Sequence, residues 1–154
     1  MRVYRIARKP FVRSPLDGRG GLFASGRWHA ARRLIVYTSD SLALASLEVL
    51  VHSDLDLIPQ DLIAIEIHIP DDLKIHRLSA SKLPRNWRSY PGPISLQKLG
   101  NAWLDAGQSL LLRVPSAVIP SEYNFLINPR HPEISKLRIS RKFPFRFDPR
   151  VISH

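Results

Sequence analysis

Cysteine is absent from the 154 residues, which excludes a disulfide framework and any thiolate-held metal and suits a chain that works in a reducing cytosol. Also missing is an uncharged apolar run long enough to span a bilayer. The basic opening, MRVYRIARKPFVR, has none of the continuous apolar stretch of an export signal, so a soluble, cytoplasmic protein is expected. Phosphate-binding fingerprints are lacking too: there is no GxxxxGK[ST], no GxGxxG follows a strand, and the GRGG at 18–21 matches neither. HExxH does not occur and the six histidines are scattered, so neither zinc nor any other metal is expected. Without an internal repeat or a linker, residues 1–154 read as one domain, large enough to bury a core of its own.

Acidic residues are scarce. Thirteen Asp and Glu stand against 23 Lys and Arg, a formal charge of +10, which points to a polyanion, a phosphate-bearing small molecule or an acidic protein as partner. The arginines are spread over the first third (Arg2, Arg5, Arg8, Arg13, Arg19, Arg27, Arg32, Arg33) and gather again near the end (Arg138, Arg141, Arg146, Arg150). A solvated basic surface accounts for many of them.

Pattern supplies the elements. VYRIA at 3–7 is a short strand, and the turn-rich SPLDGRGGLFASGRWHA after it predicts irregular structure. RRLIVYTS predicts a buried strand over 32–39, with Ser39 or Asp40 capping the helix that follows. DLIAIEIHIP alternates as a half-buried strand, and LKIHRL is another. ISLQKLGNAWLDAG predicts a helix despite Gly100. QSLLLRVPSAVI is a strand broken at Pro115, EYNFLIN a strand, and KLRISRKFPFRF a closing strand. Many strands around a few helices give an α+β fold with a largely antiparallel sheet.

One segment stands out. SLALASLEVLVH, 41–52, predicts a helix so apolar that most of its sides should be buried, yet it carries Glu48. An ionised carboxylate leaves water only at a cost of several kcal/mol or about that order unless a cation or donors replace it, so Glu48 belongs on a narrow solvent stripe or in a pocket. Other polar residues also sit at the ends of apolar segments: Arg27 in SGRWHA, Tyr37 and Ser39 at a strand end, Ser116 in VPSAVIP and Asn124 in EYNFLINPRHP. Each has an ordinary structural explanation: a satisfied core hydroxyl for Tyr37, a cap for Ser39, a turn beside proline for Ser116, a strand end for Asn124.

In order, VYRI, GGLFASGRW, VYTSDSLALASLEVLVH, QKLGNAWL, LLRVPSAVIPSEYNFLINPRHP and FPFRFDPRV resemble the RES domain family, named for shared Arg, Glu and Ser residues, over nearly the whole chain. The resemblance implies a fold like that of ADP-ribosyltransferases. It also implies a toxin that consumes NAD with release of nicotinamide, held in check by an antitoxin with an Xre-type helix-turn-helix domain, so that DNA is engaged only through the antitoxin. It assigns catalytic roles to Arg27, Tyr37, Glu48 and Ser116 and places Arg5 in the opening Y-R motif. His29 departs from the pattern, which commonly has asparagine after the tryptophan.

The residue types suit that chemistry. Breaking the nicotinamide–ribose bond develops oxocarbenium character that a carboxylate such as Glu48 stabilises. Arginine holds pyrophosphate bidentately, so Arg5 and Arg27 are expected to anchor NAD and, without it, to pair with Glu48. Tyr37 is expected to face the nicotinamide ring, with Ser39, Ser116 and Asn124 as hydrogen-bonding partners that orient the substrate. The acceptor of the ADP-ribose is left open between water, phosphate and a protein. Two rival readings fit part of the pattern. An RNA-directed toxin fits the charge, but the segment around Glu48 is more apolar than a polyanion groove wants. A non-catalytic module that docks an acidic partner fits the charge alone.

Overall fold

The computed structural model describes residues 1–54 and 57–152. Seven strands form one mixed sheet: β1 (Arg2–Arg8), β2 (Val36–Ser39), β3 (Leu62–His68), β4 (Ile75–Arg77), β5 (Leu111–Pro115), β6 (Tyr123–Ile127) and β7 (Arg138–Pro144). Their order is β4-β5-β6-β2-β1-β3-β7, and only the β4–β5 pair is parallel. Among the described residues four α-helices accompany the sheet: α1 (Gly20–Phe23), α2 (Leu42–Val51), α3 (Ile94–Ala106) and α4 (Pro149–Ile152). The expected α+β fold with a largely antiparallel sheet is the one observed.

Alternation along the strands gives the sheet two apolar faces. Val3, Val36, Ile65, Ile67, Leu111 and Ile127 pack on one side. Leu112, Val114 and Leu126 pack on the other, against Trp28, Trp87 and the α3 residues Leu96 and Trp103. The buried α3 positions Leu96, Gly100 and Trp103 fall at i, i+4 and i+7, one stripe of a helix. Gly100 is needed for closeness. A β-carbon there would lie 1.8 Å from the carbonyl oxygen of Trp28, so α3 packs against the backbone of the 26–30 turn.

Several details differ from the sequence expectation. The strand predicted over 32–39 is confined to 36–39, because Arg32 turns left-handed (φ 70°) and the N–H groups of Arg33 and Ile35 donate to Gly21 and Gly18 in the glycine-rich loop rather than to a neighbouring strand. That loop is not wholly irregular, since it contains α1. Neither Ser39 nor Asp40 caps α2. Ser41 does, its Oγ accepting from the N–H of Leu44 at 3.0 Å, while Ser39 and Asp40 are engaged with β6. Only Leu44 and Ala45 of α2 are fully buried, because one face of the helix borders a cavity rather than core.

The pairing of β1 shapes that cavity. It runs beside β3 over seven register pairs, from Arg2↔His68 to Arg8↔Leu62, but meets β2 at the single pair Tyr4↔Ser39. The two strands part there. Because Gly100 lies against the Trp28 carbonyl, Gly100→Ala should lower stability by about 1–3 kcal/mol through overpacking, outweighing a helix-propensity gain of about 1 kcal/mol. Urea unfolding checks this, with a lower midpoint at unchanged slope as the expected outcome.

Candidate functional site

Where β1 and β2 diverge, a cavity of about 500 Å³ is lined by Tyr4, Arg5 and Ile6 from β1 and by Tyr37, Thr38 and Ser39 from β2. Helix α2 contributes Ala45, Glu48 and Val49, and His52 just beyond it, residues at i, i+3, i+4 and i+7 that share one face. The turn from Ala24 to His29 closes a further side, and Asn124 of β6 lies in the wall.

Glu48 is half-buried in this wall, and two neutral donors converge on its Oε1: Ser116 Oγ at 2.9 Å and Asn124 Nδ2 at 2.6 Å. Ser39 Oγ donates to Asn124 Oδ1 at 2.7 Å, which turns the amide so that its NH₂ meets the carboxylate. Ser116 is fully buried and outside the lining. Its oxygen accepts the N–H groups of Val118 and Ile119, both at 3.1 Å, and its proton goes to Glu48. The serine therefore sets the carboxylate in place rather than facing the cavity itself. Among the described residues no hydrogen bond reaches Oε2.

The expected pairing of Glu48 with arginine is not observed. Arg27 lines the cavity, but its Nη1 donates to the carbonyls of Trp87 at 2.7 Å and Ser89 at 3.0 Å. Arg5 lines the cavity as well, and its buried Nε has no hydrogen-bond partner. Burial lowers the pKa of both guanidinium groups, opposed for Arg27 by the charge of Glu48 and for Arg5 by that of Asp17. With the carboxylate satisfied by neutral donors, both cations keep capacity for an anion from outside.

Tyr37 is held by its hydroxyl, which lies 2.8 Å from His29 Nδ1 and accepts from the N–H of Trp28 at 3.3 Å. Burial raises its pKa well above the usual phenol range. Gly26 makes room for this pair, since a β-carbon there would lie 2.7 Å from the Tyr37 hydroxyl. Helix α3 fixes the same turn from behind, Gln97 donating to the Gly26 carbonyl at 3.0 Å and Asn101 accepting from the N–H of Ala30 at 3.2 Å.

The structure thus brings Arg5, Arg27, Tyr37, Ser39, Glu48 and Asn124 to one cavity, with Ser116 directly behind Glu48. Sequence reasoning missed Gln97 and Asn101 and the carbonyls of Trp87 and Ser89. The spacing of Gln97, Gly100 and Asn101, at i, i+3 and i+4, was the available signal for the first two.

The model of the RES domain matches residues 2–148. The chain belongs to the RES domain family. A RES relative from Yersinia enterocolitica, called Toxin Res, is 37% identical over 154 residues, covering 98% of this chain and 99% of that protein. Toxin Res of Pseudomonas putida is 43% identical over 126 residues, 80% of this chain and 84% of that one. A Sphingobium protein, called Prs ADP-ribosylating toxin, is 34% identical over 154 residues, 97% of this chain and 95% of its own. Among solved structures, the M. tuberculosis MbcT–MbcA toxin–antitoxin complex has a similar fold, with a TM-score of 0.75 at 16% identity, covering 98% of this chain and 86% of that chain.

Removing the Ser116 hydroxyl strands the N–H groups of Val118 and Ile119 and takes one of two donors from Glu48. Ser116→Ala should therefore cost about 1–3 kcal/mol of stability, read as a lower urea midpoint.

Proposed function

We propose that this RES domain is the toxin of a toxin–antitoxin pair and that it cleaves NAD at the nicotinamide–ribose bond in the β1–β2 cavity. The observation that carries this reading is the state of Glu48, a carboxylate in a cavity wall held by Ser116 and Asn124 rather than by either nearby arginine. A carboxylate placed so, with Oε2 uncommitted among the described residues, suits a cationic sugar carbon. As the bond between N1 of nicotinamide and C1′ of ribose breaks, its electron pair leaves with neutral nicotinamide and positive charge grows on C1′. Glu48 stabilises that charge and holds the ribose hydroxyls. Arg5 and Arg27, which keep free donors, bind the pyrophosphate. Tyr37 borders the nicotinamide, and Ser39 acts through Asn124. The cavity volume of about 500 Å³ falls within the range usual for small-ligand sites.

The cation is then captured by water, which loses a proton to give ADP-ribose, by inorganic phosphate, or by a protein side chain. The name of the Sphingobium relative favours a protein acceptor as the second reading. The named toxins among the relatives, and the toxin–antitoxin complex of similar fold, support an antitoxin partner. The charge of +10 suits a more acidic partner, for which we propose a helix-turn-helix protein of the Xre type.

Nicotinamide release from NAD by the purified protein, followed chromatographically, tests the reaction. Wild type should turn over and Glu48→Gln, which keeps the shape but not the charge, should lose at least about 100-fold in kcat, as expected when an electrostatic contribution of about 3 kcal/mol is removed. A Glu48→Gln rate near that of wild type sinks the assignment. Arg5→Met should raise the KM for NAD about tenfold or more, the loss expected for a charge-assisted contact. Its melting temperature should stay level or rise, because a buried unpaired donor is removed.

A further inference from the structure

We propose that His29 is a positioning residue which, as the neutral Nε2–H tautomer, holds Tyr37 against the cavity and makes the site's activity depend on pH. The role in catalysis rests on the reading of this cavity as the NAD site; the hydrogen-bond chain does not.

His29 is 4% exposed and both ring nitrogens are engaged, Nε2 with the Ala24 carbonyl at 3.0 Å and Nδ1 with the Tyr37 hydroxyl at 2.8 Å. A carbonyl only accepts, so the ring proton sits on Nε2 and Nδ1 presents a lone pair. Tyr37 must then donate to Nδ1, while its oxygen accepts the Trp28 N–H. One direction of donation runs through the whole chain, from Trp28 through Tyr37 and His29 to Ala24. Gly26 makes room for the ring, since a β-carbon there would come within 2.8 Å of it, while Gly21, which lies against Nε2, is required by the Arg33 carbonyl, 2.1 Å from where its β-carbon would be.

A second proton breaks the chain. Nδ1–H would then confront the Tyr37 oxygen, and the phenolic proton would have to turn away, into the cavity. Among the described residues no carboxylate touches the ring to compensate its charge. Arg27 on the same turn and Glu48 on α2 act electrostatically on the Tyr37 hydroxyl, and α3 offers the turn only the neutral Gln97 and Asn101. Burial lowers the pKa of His29 below its ordinary 6.5, against a smaller upward pull from the Ala24 carbonyl. The sign follows from linkage: the unfolded chain takes up the proton first, so the stabilisation by neutral His29 is complete above 6.5 and is lost as pH falls through the lower folded value.

Asparagine gives the decisive variant. His29→Asn keeps an acceptor near the Nδ1 position but cannot titrate, whereas His29→Ala removes both. Nitrogen NMR of the imidazole in the wild-type protein should show the Nε2–H tautomer with a titration below the ordinary histidine range. Nicotinamide release by wild type should fall on an acid limb that His29→Asn lacks. His29→Ala should lose tenfold or more in kcat with less than a threefold change in KM, and His29→Asn should recover most of that rate. An Nδ1–H tautomer, an ordinary titration, or an acid limb that persists in His29→Asn overturns the proposal. If wild type releases no nicotinamide, the NAD reading fails by itself and the imidazole spectrum alone decides: the Nε2–H form upholds the chain and the other tautomer refutes it.

Discussion

A carboxylate that leaves bulk water without a counter-ion is the constraint around which this RES domain is arranged. Glu48 is tolerated in the half-buried wall because Ser116 and Asn124 both donate to Oε1. Each donor is itself fixed, Ser116 by two backbone N–H groups and Asn124 by Ser39. Neutral donors satisfy the charge without cancelling it. The carboxylate keeps its negative charge, and Arg5 and Arg27 keep their capacity to take an anion.

Strand divergence makes room for that arrangement. Had β1 and β2 paired along their length as β1 and β3 do, the antiparallel register would set Arg5 opposite Thr38 and close the gap between the strands. The single Tyr4↔Ser39 pair keeps the sheet continuous while the strands open beyond it. The space is then walled by α2 on one side and the 24–29 turn on another. Its polar groups sit on strand and helix backbones, apart from those on the turn, which α3 braces through Gln97, Gly100 and Asn101. Such support holds a site to a defined geometry.

Much of this was legible in the chain, and what was not has a physical cause. Period-two alternation in LIAIEIH and a one-face apolar stripe in LQKLGNAW are local signals, and β3 and α3 appear where those patterns lie. The odd carboxylate in an apolar helix left two readings open, a solvent stripe or a pocket, and the resemblance to the RES family collected its neighbours. The cap of α2 was misplaced because Ser39, Asp40 and Ser41 are equivalent locally, and only the pairing of Ser39 with Asn124 removes the first from contention. The first half of the strand predicted over 32–39 was lost to the glycine-rich loop, whose carbonyls compete for the same N–H groups. Arginine–glutamate pairing was expected from charge alone. Which neutral donors reach a carboxylate first depends on contacts dozens of residues apart, and pattern does not reveal those.

Those separations bear on when the domain acquires chemistry during synthesis. Glu48 is set by residues 68 and 76 positions later, and Arg27 is anchored by carbonyls 60 and 62 positions later. A ribosome that has delivered both α2 and the arginine turn has not yet delivered the groups that hold Glu48 and Arg27 in place. Only after β6 has emerged from the exit tunnel and closed beside β2 do these groups come together. Under the proposed function, activity begins only late in translation, once the site is assembled.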